Sequence, residues 1–99
     1  MVALNKRNIL IIGRHAELLD VVLNQVTQQG YHAIGTLTNE EALIAFKSSL
    51  FDAVILGGGV DLMSRQTLKQ EFLSIHPGIR ILEVHPQNIL VALNEAFQN

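Results

Sequence analysis

Aliphatic residues run without interruption through Asn8-Ile-Leu-Ile-Ile-Gly13 and again through Asp52-Ala-Val-Ile-Leu-Gly57. Runs with no polar alternation predict strands covered on both faces, as in a parallel sheet. Between them the period changes. From His15 to Gln29, the apolar residues Leu19, Val22, Leu23 and Val26 recur at helical offsets. They predict one buried stripe, and Gly30 supplies a stop. Tyr31 to Leu37 reads as a weaker second strand, broken by Gly35. Thr38-Asn-Glu-Glu41 has capping-box spacing and opens a helix to about Ser49, with Ala42, Leu43 and Phe46 inward.

The same alternation continues to the end. Leu62 to Ile75 predicts a third helix, with Leu68, Phe72 and Ile75 on its stripe and Asp61 or Ser64 as N-cap. His76-Pro77-Gly78 reads as a turn, and Ile79 to Val84 as a fourth strand. Arg80 and Glu83 are unusual in a strand covered on both faces. Pro86 stands where a last helix begins, and Ile89, Leu90, Leu93, Ala96 and Phe97 form its stripe. Four strand–helix units in succession predict an α/β fold with a parallel sheet between two helical layers.

Composition narrows the function classes. Ninety-nine residues make a single domain, 1–99, with 48% hydrophobic and 16% charged residues. That excludes intrinsic disorder. Nine acidic and seven basic residues are scattered along the chain, without the basic face that nucleic-acid binding needs. Cysteine is absent, so there is no disulfide, thiolate ligand or thiol nucleophile. No apolar run is long enough to span a bilayer. In Met1–Asn8 the charges Lys6 and Arg7 precede only the short run Ile9–Ile12, too short for a signal-peptide core. The expectation is a cytoplasmic protein that binds neither membrane nor nucleic acid.

Four stretches stand in an order and at spacings that resemble the receiver domain of bacterial response regulators. They are Ile9-Leu-Ile-Ile-Gly-Arg-His15, Gly30-Tyr31 through Asn39-Glu-Glu-Ala-Leu43, Phe51-Asp-Ala-Val-Ile-Leu-Gly57 and His76-Pro-Gly-Ile-Arg-Ile-Leu82. The resemblance implies a flavodoxin-like, three-layer doubly wound sheet. Four strands would stand in the order 2-1-3-4, with the family's fifth strand missing after Val84.

The resemblance also assigns positions. Receivers hold magnesium with two acidic residues after strand one, where this chain has Gly13 and Arg14. Their phospho-acceptor aspartate ends strand three, where this chain has Gly57. His85 falls at the hydroxyl residue that ends strand four. In a second register, Val84-His85-Pro86 stands for the family's lysine–proline step, and His85 takes the lysine position. Phosphoryl transfer to a carboxylate needs a nucleophilic oxygen and a cation on the phosphoryl oxygens. Gly57 has no nucleophile and Arg14 repels magnesium, so the expectation is a degenerate domain that is not phosphorylated at the usual place.

Other candidates gather at the carboxyl ends of the strands, where open α/β sheets bind ligands. Gly57, Gly58 and Gly59 with Arg14 can receive a small anion; the alternative is a relic loop beside a solvated arginine. His15, Asp61 and His85 suit zinc by type but lack diagnostic spacing, so no metal or other cofactor is expected. Ser48, Ser49, Ser64 and Ser74 have no base at a recognisable spacing, and no enzyme activity is expected. The favoured role is an interaction module that binds a signalling protein or itself. Without a fifth strand, strand four becomes a sheet edge. The expected homodimer interface is Ile79, Ile81, Leu82, Leu90 and Phe97; the competing outcome is a monomer whose last helix covers the vacated edge.

Overall fold

The computed structural model describes residues 6–97. The first five residues of the Met1–Asn8 stretch therefore lie outside the described part. Four strands, β1 (Asn8–Ile12), β2 (His32–Thr36), β3 (Ala53–Leu56) and β4 (Arg80–Glu83), alternate with four helices. These are α1 (Ala16–Gln28), α2 (Asn39–Ser48), α3 (Leu62–Ile75) and α4 (Ile89–Ala96). The sheet is parallel throughout, in the order β2-β1-β3-β4. Among the described residues no helix is long and apolar enough to cross a membrane.

The two uninterrupted aliphatic runs occupy the centre. On one face Leu10, Ile12, Val54 and Leu56 pack with Ala42 and Phe46 of α2 and Leu68 and Phe72 of α3. On the other, Ile9, Ile11, Ala53 and Ile55 pack with Leu19, Val22 and Val26 of α1 and Ile89 and Leu93 of α4. Both strands are covered twice, which is why neither tolerates a polar residue. The last helix thus shares a layer with α1 and lies over the sheet face beside β4.

Several boundaries depart from the expectations. Gly35 does not break β2: it pairs with Ile11. A β-carbon there would stand 2.8 Å from Leu23 and 2.9 Å from Leu19, so the glycine lets α1 lie close on the strand. β2 and β4 are each shorter than their apolar patterns, ending before Leu37 and Val84. Ile75 is 44% exposed, off the buried stripe of Leu68 and Phe72. The capping box is displaced by one residue. Thr38 Oγ1 accepts from the Glu41 N–H, but Glu41 Oε1 accepts from the N–H of Leu37 rather than from Thr38. Asp61, not Ser64, caps α3. Pro86 opens a 3-10 turn, Pro86–Asn88, ahead of α4.

The two charges of β4 point to opposite faces. Arg80 lies 4.9 Å over the Phe97 ring, which Arg7 covers from 4.7 Å. Glu83 accepts from Arg65 and Lys69 of α3 at 3.1 and 2.9 Å. Arg65 and Lys69 therefore pair Glu83 within the domain, while Arg80 rests on an aromatic face.

Candidate functional site at the carboxyl edge

β1 and β3 run side by side and end together, which brings Gly13 against Gly57. The Gly57 N–H donates to the Ile12 carbonyl at 2.9 Å, and the Gly13 N–H donates to Thr36 at 3.0 Å. The edge is closed by backbone hydrogen bonds between adjacent strand ends, so neither amide is left to face a ligand.

The glycine run has a packing reason. A β-carbon on Gly57 would stand 3.1 Å from the Ile12 carbonyl oxygen. On Gly58 it would stand 3.3 Å from Nδ1 of His85, and on Gly59 3.4 Å from Cβ of Arg14. The loop after β3 is thus approached by a strand carbonyl, an imidazole and an arginine stem. Only at Gly57 is the close neighbour fixed backbone; at Gly58 it is a side chain, and at Gly59 the contact is an ordinary one.

Arg14 does not face solvent as a free cation. Its guanidinium donates to the Leu37 carbonyl at 2.8 Å and to Asn39 Oδ1 at 2.5 Å. The Asn39 amide donates to Ser64 Oγ at 3.0 Å, and the Ser64 N–H donates to Asp61 Oδ2 at 3.1 Å. Hydrogen bonds from Ser64, those of its side chain foremost, hold the Asp61 carboxyl below the usual range, with the Arg14 charge a lesser cause. Arg65 braces the same loop from below, donating through Nε to Val60 and through Nη2 to Gly57, at 2.7 and 2.8 Å. Asn39 and Arg65 are not among the sequence candidates for this site, and Ser64 enters there only as an alternative cap and as a serine without a base. Nothing local in the sequence marks them, since their partners come from other loops.

These contacts bear on three sets of sequence candidates. The proposed anion cradle of Arg14, Gly57, Gly58 and Gly59 loses its cation and its first amide to internal partners. The adjoining cavity, about 40 Å³ and walled by Leu18, Leu19, Val22, Pro86 and Ile89 among others, has room for a water or two and is largely apolar. His15, Asp61 and His85 do not converge: among the described residues no three histidine or carboxylate side chains cluster as a metal site. Ile79 is 6% exposed within the α2–α3 core and has little surface to offer a dimer partner. Ile81, Leu82, Leu90 and Phe97 are each half-buried. Ile81 packs against the α2–α3 core, and Leu82, Leu90 and Phe97 against the α1–α4 core, which leaves less free apolar surface than the sequence pattern implied.

The same geometry tests the magnesium that a receiver fold implies. Gly13 and Gly57 have no side chains, and Arg14, which follows Gly13, carries a positive charge. The residues present do not fit a divalent cation.

No protein-family model matches the chain, and no curated protein sequence matches it. Solved structures do. The receiver domain from the hybrid histidine kinase CckA superposes with a TM-score of 0.66 at 17% identity, covering 92% of this chain and 99% of that one. The Vibrio cholerae chemotaxis protein CheY4 gives 0.63 at 17% identity, covering 91% and 98%. The N-terminal domain of a response regulator receiver protein from Methanoculleus marisnigri JR1 gives 0.59 at 15% identity, covering 94% and 98%. The fold is that of response-regulator receiver domains, with the expected 2-1-3-4 order.

Proposed function

We propose that this chain is a non-catalytic, phosphorylation-incompetent receiver-like domain that acts as a protein-interaction module in signalling. The observation that carries the reading is Gly57. It follows the last residue of β3, where a receiver's acceptor carboxylate would stand, and a β-carbon on it would lie only 3.1 Å from the Ile12 carbonyl oxygen. The position has no nucleophile and little space for one. With no metal-holding acids at Gly13 and Arg14, neither requirement for carboxylate phosphorylation is met. Treatment with acetyl phosphate and magnesium followed by intact-mass measurement tests this. The mass is expected to stay unchanged; a stoichiometric acid-labile phosphate overturns the reading and points to another acceptor, such as Asp61.

The interaction we propose is with a second copy of the chain. β4 is one of the two edge strands, and no described strand pairs with its outer side. Its two charges, which would ordinarily deter edge pairing, are drawn onto the two faces by Phe97 and by Arg65 and Lys69. An isologous pairing of two β4 edges about an axis normal to the sheet keeps both helical layers in register. It produces one continuous sheet with no internal edge. Light scattering during size exclusion at micromolar concentration is expected to give twice 10.9 kDa. A concentration-independent monomer mass rejects this partner and leaves the phosphorylation result untouched.

A further inference from the structure

We infer that Arg14 is a built-in cation that fastens the three loops of the carboxyl edge into one conformation, so that no divalent ion is needed to organise it. The inference rests on contacts and not on the interaction reading. Arg14 leaves β1 by the loop to α1. Its aliphatic stem runs against the loop after β3, since a β-carbon on Gly59 would lie 3.4 and 3.6 Å from Cβ and Cγ of Arg14. Its head crosses to the loop after β2. There Nη1 donates to the Leu37 carbonyl at 2.8 Å and Nη2 to Asn39 Oδ1 at 2.5 Å. Asn39 then carries the link onward, its amide donating to Ser64 Oγ at 3.0 Å in the first turn of α3. Ser64 closes the chain on Asp61, the α3 cap.

Each connection joins segments far apart in sequence. Arg14 is 23 residues from Leu37 and 25 from Asn39; Asn39 is 25 from Ser64. The relay is directional. A planar guanidinium with several donors satisfies a backbone carbonyl and a side-chain carbonyl at once, which an ammonium on a flexible stem does less well. The amide of Asn39 accepts on one side and donates on the other, so it cannot be exchanged for alanine without opening both links. A charge that in another architecture would come from a bound metal is here covalently part of the chain. The edge it holds is therefore in place before any partner arrives.

The test is amide hydrogen exchange on the full chain, with Arg14→Ala, Arg14→Lys and Asn39→Ala compared with the parent. A charge-assisted hydrogen-bond relay predicts that Arg14→Ala speeds exchange on the order of tenfold in residues 37–39 and 60–64 together. Asn39→Ala is expected to speed exchange at 60–64 while Arg14 keeps its contact with the Leu37 carbonyl. Arg14→Lys is expected to recover only part of the protection, and added magnesium is expected to leave the parent unchanged. A change confined to residues 13–16, full recovery with Arg14→Lys, or protection gained on adding magnesium would each overturn the inference. If Arg14→Ala does not fold, Asn39→Ala and Arg14→Lys decide it alone.

Discussion

Glu83, at the carboxyl end of β4, accepts from Arg65 in the first turns of α3 at 3.1 Å, while the same arginine donates to two carbonyls of the loop after β3. One guanidinium therefore joins helix, loop and edge strand. Hydrogen bonds from Lys69 first and Arg65 second hold the Glu83 carboxyl below the usual glutamate range. A depressed folded-state pKa stabilises the protein at pH values above the unfolded one, about 4.3. That contribution is lost as pH falls through the lower folded value. Glu83→Gln is expected to cost no more than about 1 kcal/mol at neutral pH, because the pair is partly solvated. Its stability curve should also be flatter than the parent's between pH 5 and the acid transition, on the order expected for one carboxylate. Parallel pH dependence in the two proteins, measured by denaturant unfolding, would remove Glu83 from the acid response.

Gly57 and Gly58 are neighbours with opposite expected responses to alanine. At Gly57 the new β-carbon meets a backbone carbonyl that is fixed by the β1–β3 ladder, 3.1 Å away. Relief requires moving a strand end, and overpacking of this kind costs about 1–3 kcal/mol. At Gly58 the obstacle is the exposed ring of His85, 3.3 Å away, which can swing aside. Gly58 does not have a positive φ, so alanine there loses less chain entropy on folding and should be neutral or stabilising by up to about 1 kcal/mol. Denaturation midpoints of the two variants test the pair. Equal effects would mean that the glycine run is simply loose, not closely approached from two different sides.

What could be read from the chain and what could not follows from where each residue's partners lie. β1 and β3 were legible because double coverage writes itself into a strand as an unbroken aliphatic run. The stripe of α1 was legible for the same reason. The charges of β4 were visible but not interpretable, since Phe97, Arg65 and Lys69 are brought to them by tertiary packing. Arg14 was placed at the correct edge and given the wrong partners: its acceptors, Leu37 and Asn39, come from the next βα loop. Ile75 keeps helical period with Leu68 and Phe72 yet is exposed, because periodicity alone does not report which turns of a helix are covered. The vacated edge was correctly located. That α4 would lie against α1 with Ile89 and Leu93 buried, rather than leave a broad apolar face, depended on packing that no pattern records.

The central strands should be the least tolerant part of the molecule. Val54 is fully buried on β3, between β1 and β4 and beneath α2 and α3. Val54→Asp places a carboxylate there without a partner, at a cost of several kcal/mol or a large rise in its pKa. A domain of this size has only about 5–15 kcal/mol in total. The variant is expected to be insoluble or to lack a cooperative melt. Gln28→Ala, on the exposed last turn of α1, should fall within about 0.5 kcal/mol of the parent. A soluble Val54→Asp protein with near-parent stability would refute the placement of β3 at the centre of the sheet.

Thr36 offers the opposite kind of change. It ends β2 beside Ile12, is 6% exposed, and its hydroxyl has no hydrogen-bond partner among the described residues. Its carbonyl is occupied by the Gly13 N–H, so the strand end itself is well tied. A buried hydroxyl without a partner carries its desolvation penalty with nothing to offset it, commonly about 1–3 kcal/mol. Valine has nearly the same shape, keeps the branched β-carbon that suits a strand, and brings no polar atom. Thr36→Val is therefore expected to raise stability by about 1 kcal/mol, with the denaturant slope unchanged because no surface is newly exposed. The midpoint shift in urea measures it directly. If the variant is instead destabilised by a similar amount, the hydroxyl does have a partner in solution, and an internal water at the end of β2 becomes the group to look for by high-resolution diffraction.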